Sequence, residues 1–432
     1  MANKTGSSKK GVLLQLAEER ALSKKEIDDE KRKHQESLVP YMPKDCVSII
    51  LVRLPVQSLQ SSRFVCKPWY NIVNSSLFID AHLRRSKFVI IFLESAVIER
   101  SNFYVGPQIL QENLNTFWVE ANLRRSGSIP VLHQPDLDPR SKHYLKFIEF
   151  EDGKGKFKEF NASCLGNIRA TCNGLILIDN KFKKGGLIVF NPVTRKLVAL
   201  PLGTLYPPHD ESYGFGLCNV TGKYKVVHLF RDELGYVSCE ILTPGASSWR
   251  EVNGPSFGLF GWFGYKPISA IGALHWIPQI DRSECLVSIE LHTEKFHTIP
   301  LPEHSRAHDG IIEMKGFLCF IVHQEICQRM DVWVLKSLQG EDWTTYHSIT
   351  IGYIIDLVPF CSTSRDDEEI IFRRDEDCSF YTYNLRFEGM RKIEFEIRKG
   401  NESLRRSRSC LPHVNSLVSW DIGGAEQDQF DV

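Results

Sequence analysis

The chain has 432 residues, with 53 Lys and Arg balancing 53 Asp and Glu, and 42% of it is hydrophobic. That length allows two or three domains with one large core, and the balanced charge provides no electrostatic footprint for a nucleic acid. Twelve cysteines without a C-x-x-C pair give no zinc or redox spacing, and no apolar run approaches the ~18 residues of a membrane span. The opening MANKTGSSKK carries no signal-peptide core, so the expectation is an intracellular chain, nuclear or cytoplasmic, with no membrane partner.

Residues 1–40 form a charged leader whose apolar positions, Leu13, Leu14, Leu16 and Ala17, stop near Leu22. The mixed charge beyond it reads as a frayed helix or disorder, and Lys31-Arg32-Lys33 as a solvated charge run. Helical patterning occupies 41–86. Pro43 suits a first turn and Asp45 favours the helix dipole there, while Val47, Ile50, Leu51 and Leu54 recur at helical spacing up to Pro55. Ser58 is read as the cap of a second helix carrying Leu59, Phe64, Val65 and Cys66. Pro68 opens a third, followed by Trp69, Ile72 and Val73. Three short helices hold more apolar area than about 45 residues bury alone, which calls for a partner or for packing on the rest of the chain.

From Lys87 the period changes to β-type runs punctuated by Gly, Pro, Asn and Asp. Units at 172–203, 271–303 and 314–349 each start at a glycine (Gly174, Gly272, Gly316) that opens an apolar strand. Segments 213–252 and 366–396 share the rhythm. Several strands per ~40–50 residues is the signature of propeller blades. The expected fold class is therefore α+β by modules: a small three-helix module, then a large all-β, propeller-like blade array over 87–420, then a flexible tail at 421–432. One short helical turn is expected at 335–340.

The stretch 42–86 resembles the plant-type F-box, L-P-x-D-L-x-x-E-I-L-x-R-L-P-V-K-S-L followed by R-F-R-C-V-C-K-x-W and H-L-x-x-S. Pro43, Asp45, Ile50, Leu51, Arg53, Leu54, Pro55, Val56, Ser58 and Leu59 stand in register, as do Arg63, Val65, Cys66, Lys67, Trp69, Phe78, His82, Leu83 and Ser86. Met42 and Cys46 replace Leu, Ile49 replaces Glu, and Ser61-Ser62 replace Arg-Phe. The β body resembles the plant F-box-associated domain at Thr171-Cys172-Asn173-Gly174-Leu175, Phe190-Asn191-Pro192-Val193-Thr194-Arg195-Lys196, Gly272-Ala273-Leu274-His275-Trp276 and Ser416-Leu417-Val418-Ser419.

The resemblance implies a non-catalytic subunit of an SCF-type ubiquitin ligase. It would bind a Skp-type adaptor, and through it a cullin, by Met42, Pro43, Ile50, Leu51, Leu54, Pro55, Leu59, Val65, Cys66 and Trp69. The β body would hold a target protein, with no cofactor. The rival readings are a non-ligase scaffold with a weakened F-box, and an enzyme with carboxylates or histidines gathered in a central pocket.

No chemical motif stands out beside these. Gly214-x-Gly216 is read as a turn, and His292 and His297 beside Glu290 and Glu294 as surface strand residues. Asp366-Asp367-Glu368-Glu369 and RRSRS at 405–409 read as solvated loops. The aromatic run 257–265 is either a binding surface or core.

Overall fold

The computed structural model describes residues 42–97 and 141–420, apart from connecting stretches at 152–153, 162–164, 181–182, 206–210, 232–235, 256–265, 279–283, 304–307, 339–341, 352–355, 365–367, 375 and 396–409. The leader with its basic tripeptide, the aromatic run 257–265, Asp366 and Asp367, the basic run 405–409 and the tail 421–432 lie outside the described residues. The chain divides into two units at Leu54–Pro55.

The first unit holds α1 (Lys44–Leu51), entered from Pro43 and carrying Asp45 in its first turn. The second begins with α2 (Val56–Ser62), α3 (Lys67–Val73) and α4 (Ser76–Arg85). Helix boundaries differ from expectation in two places. Pro55, not Ser58, precedes α2, and the helix ends at Ser62, leaving Phe64 and Val65 in the following turn. A fourth helix, α4, forms because the Ser75 hydroxyl accepts from the Phe78 amide at 3.4 Å, capping a segment whose Phe78, Ile79, His82 and Leu83 share one buried face. His82, Arg84 and Arg85 in its last turn suit the negative end of the dipole.

All that follows is β. Six antiparallel sheets form the six blades of a propeller. The first contains β1 (Phe88–Val97), β2 (Ser141–Glu151) and β3 (Lys154–Asn161). The second is β4 (Leu165–Cys172), β5 (Leu175–Asn180), β6 (Leu187–Asn191) and β7 (Lys196–Ala199). The third is β8 (Glu211–Leu217), β9 (Tyr224–Arg231), β10 (Val237–Leu242) and β11 (Arg250–Val252). The fourth is β12 (Ile268–Ala270), β13 (Ala273–Trp276), β14 (Cys285–Glu290) and β15 (Phe296–Pro300). The fifth is β16 (Gly310–Met314), β17 (Phe317–Gln324), β18 (Arg329–Leu335) and β19 (Thr344–Thr350). The sixth is β20 (Leu357–Ser362), β21 (Glu369–Arg374), β22 (Phe380–Asn384) and β23 (Gly389–Lys392). Late in the chain, β24 (Glu394–Phe395) and β25 (Cys410–Val414) return to the first blade, β24 on its outer edge against β3 and β25 inside β1.

Ring closure is thus made by β25, which pairs from Phe88↔Val414 to Phe92↔Cys410. The next residues, Asn415–Trp420, run on as a buried strap. Trp420 lies 5.8 Å from the Phe215 ring and 6.5 Å from Tyr224, both on the third blade.

Second and third strands are buried on both faces, which is why LILI, LIVF and KVVHLF are unbroken apolar runs. Apolar clusters fill the seams between blades. Ile176, Ile178 and Phe190 of the second meet Val89, Ile91 and Leu145 of the first, and Val227 and Leu229 of the third meet Leu274 and Trp276 of the fourth. Each such side chain contributes about 1.5–3 kcal/mol on full burial.

Gly214 and Gly216 lie inside β8 and not in a turn, correcting the expectation. A Cβ at Gly214 would stand 2.6 Å from Leu274 Cδ1, and one at Gly216 2.7 Å from Leu291 Cδ1. The fourth blade packs too close for a side chain there. The helical turn expected at 335–340 is also absent from residues 335–338; a 3-10 turn occurs instead at Glu325–Cys327.

Candidate interaction surfaces

On residues 42–54, apolar side chains are left in water. Met42 is 52% exposed, Ile49 54% and Ile50 49%. Pro43 and Cys46 are exposed, and Leu54 is half-buried. Leu51 is the exception, with 0% exposure.

Residues 55–86 repeat the arrangement. Phe64 is 86% exposed, Val65 62% and Leu77 82%, while Val56, Leu59, Ile72 and Val73 are buried. Pro55 and Cys66 are exposed and Trp69 is half-buried. Leu51 and Leu59, assigned by the sequence to an outward contact, are therefore inside. Ile49, Phe64 and Leu77 are exposed apolar residues outside the expected set. Ile49 marked itself only as a departure from pattern, and Phe64 was taken for a helix-face residue.

The substitutions that set this chain apart are accommodated. Ser62 is buried, and its hydroxyl donates to the Ser58 carbonyl at 2.8 Å, so the polar atom is satisfied within α2. Cys46 and Ile49 face solvent, where neither leaves a void.

At the end of α4 the Ser86 hydroxyl donates to the His82 carbonyl at 2.9 Å. Two residues on, the Phe88 amide donates to Thr363 O at 2.7 Å, and Lys87 bridges Ser364. The chain passes from helix to blade with both sides of the joint bonded.

Inside the ring, a cavity of about 830 Å³ is lined by Asp80, Leu83 and Arg84 of α4 together with the innermost strands and their first hairpin turns. Its carboxylates are Asp80 and Glu313, and Glu313 accepts from the Gly316 amide at 2.6 Å. His413 is buried and also on the lining; burial pushes its pKa down to about 3, so the ring is neutral.

The densest polar cluster joins the second and third blades. His228, fully buried, holds Glu240 by Nδ1 at 2.8 Å and Glu211 by Nε2 at 3.2 Å. Arg169 bonds Glu211 at 3.0 Å and Asp179 at 2.6 Å, and the Thr204 amide donates to Glu240 at 2.9 Å. Burial works against a charged His228, but hydrogen bonds and charge from Glu211 and Glu240 outweigh it and raise its pKa. Glu240, also opposed by burial, is held below the usual carboxylate range by His228 and Thr204.

His292 and His297 are exposed as expected, and Glu294 is occupied by Lys225 at 2.6 Å and by Arg250. Glu368, read as part of a solvated loop, instead bonds Lys315 and Tyr346 of the fifth blade. Among the described residues no cluster of three or more His, Cys, Asp or Glu is arranged to hold a metal ion, and no helix is long and apolar enough to cross a membrane.

The family model described as F-box associated beta propeller domain matches residues 138–416, well over half of the chain, and the F-box domain model matches residues 40–80. The chain belongs to the F-box-associated propeller family. Among its relatives, the F-box protein CPR1 of Arabidopsis thaliana is 25% identical over 342 residues, covering 71% of this chain and 73% of that one. An F-box/LRR-repeat protein of the same plant is 22% identical over 391 residues, covering 85% and 80%. Of solved structures, TolB from Acinetobacter baumannii is 8% identical and covers 81% of this chain and 73% of its own, at a TM-score of 0.41, a likeness too loose to argue from. An F-box at the N-terminal side of such a propeller fits an SCF substrate receptor.

Proposed function

We propose that this chain is the substrate-recognition subunit of an SCF-type ubiquitin ligase, joining a Skp-type adaptor, and through it a cullin, to a target protein. The supporting observation is the uncovered apolar surface of residues 42–86, where Met42, Ile49, Ile50, Phe64, Val65 and Leu77 are all exposed. Large bare apolar side chains grouped on short helices mark a protein-binding surface. Adaptor contacts are assigned to Met42, Pro43, Ile50, Leu54, Pro55, Val65, Cys66 and Trp69, with Leu51 and Leu59 holding the helices from within.

The propeller, 87–420, holds the target. First-to-second-strand turns lie on the face where α4 sits, so the target is assigned to the other face, which carries the second-to-third-strand turns. Tyr236 and Ile326 are exposed there, at 69% and 99%. Function then consists of proximity, raising the effective concentration of a target lysine near the charged conjugating enzyme.

The test is co-purification of the full chain with the adaptor. Ile50→Asp with Val65→Asp, both at exposed positions, should abolish it without changing the melting temperature. Full-strength binding by that variant would sink the reading in favour of the scaffold.

A further inference from the structure

The cavity has an asymmetric build. At one end stand Asp80, Leu83 and Arg84 of α4. Toward the other lies Lys266, just ahead of β12 on the fourth blade. Its Nζ donates to Ile168 O on β4 of the second blade at 3.2 Å. To make that bond the side chain reaches past the third blade, so its ammonium sits within the ring of innermost strands. Between the two ends the wall is largely apolar, with Phe215, Ile268, Ile312, Phe360 and Leu411. The lining contains three cations, Arg84, Lys266 and Lys315, against two carboxylates, and Lys315 is taken by Glu368 outside.

We infer that this cavity is a binding site for a small amphipathic organic anion, its carboxylate or sulfonate on Lys266 and its apolar body along the channel toward α4. At about 830 Å³ the space falls within the ~300–1,000 Å³ of small-molecule pockets. An anion would form a charge-assisted hydrogen bond there in a water-poor channel, where it is worth most. The groups facing the ammonium set its charge. Burial is the main one, opposed by Cys410 on β25 and by Asp179, and reinforced by Arg169, and together they bring Lys266 down to about 8. Arg373 donates to Cys410 Sγ at 3.3 Å, and His413 stays neutral, so neither supplies a counter-anion. The inference is independent of the adaptor assignment, since no residue of α1–α3 lines the cavity.

The experiment titrates the full chain with anilinonaphthalene sulfonate, an amphipathic anion, and with phenylnaphthylamine, the same body without the sulfonate. One saturable site for the sulfonate is expected, weakened about tenfold or more in Lys266→Met, with the neutral probe unaffected by the substitution. In the unmodified protein, sulfonate affinity should fall as pH rises through about 8, where an ordinary lysine with pKa about 10.4 stays charged. A flat profile from about pH 7 to about pH 9, or sulfonate binding indifferent to Lys266→Met, would overturn the assignment. The pH profile needs no variant, so a misfolded Lys266→Met would not shield the proposal.

Discussion

Asn191 Nδ2 donates to Val418 O at 2.7 Å and to Ser416 O at 3.1 Å, tying the second blade to the strap that follows the closing strand. The other end of the same amide, Oδ1, accepts from the Val193 and Thr194 amides at 2.9 and 3.2 Å and shapes the turn after β6. One side chain therefore forms a turn and holds the ring shut. Asn191→Ala leaves buried carbonyls without donors and should cost about 1–3 kcal/mol. Asn191→Asp should be no better, because it keeps the turn but faces two carbonyls with a charge. Asn384 makes only the turn bonds in the sixth blade, so Asn384→Asp should be tolerated. Denaturant midpoints of the three variants decide this.

Two glycines separate strain from collision. Gly174 and Gly222 both have positive φ, +90° and +65°. A Cβ at Gly174 would lie 2.1 Å from Ser416 Oγ, while one at Gly222 meets nothing within 4 Å. Gly222→Ala should cost about 1 kcal/mol from backbone strain alone. Gly174→Ala should cost clearly more and expose Trp420, read as a shift in its fluorescence together with the melting temperature.

Much of this architecture was legible locally. The second and third strands of each blade announced themselves because both faces are buried and the runs are continuously apolar. The first strands did not. Short β12 and glycine-broken β8 carry little pattern of their own, and their conformation is set by the neighbouring blade. Closure of the first blade by Cys410–Val414 depends on a pairing nearly the whole domain apart, which no local period encodes. On the helices, spacing identified Leu51 and Leu59 as apolar positions but could not say whether they faced in or out. Serine chemistry misled at Ser58 because Pro55 had already started the helix.

Buried and exposed leucines of the helical segment should behave oppositely. Leu59→Ala empties a fully buried site and should cost about 2–5 kcal/mol. Val65→Asp should leave stability within about 0.5 kcal/mol, as surface changes do, while removing the adaptor from a pull-down. Melting curves and co-purification on the same two variants separate the roles.

The His228 cluster predicts an alkaline weakness. The folded pKa of His228 is raised, so its stabilisation is complete below its unfolded value near 6.5. It is lost as pH rises through the folded value. Glu240, held low, contributes above the ordinary carboxylate range and loses its share only as pH falls through its folded value. Stability measured from neutral pH upward should decline in the parent protein. In His228→Gln it should be lower throughout, by about 3 kcal/mol for a broken buried pair, with that decline flattened.

The bonded joint between α4 and β1 has a mechanical meaning. A tether lets a cargo sweep a volume; a joint with Ser86 tied back to His82 and Phe88 tied across to Thr363 transmits torque. Whatever grips α4 therefore sets the bearing of the blades, and a cargo held on them is presented along a fixed line. Lysines off that line stay out of reach however tightly the cargo is bound, and inserting a few glycines at Lys87 should broaden which lysines are modified before it changes how many molecules are caught.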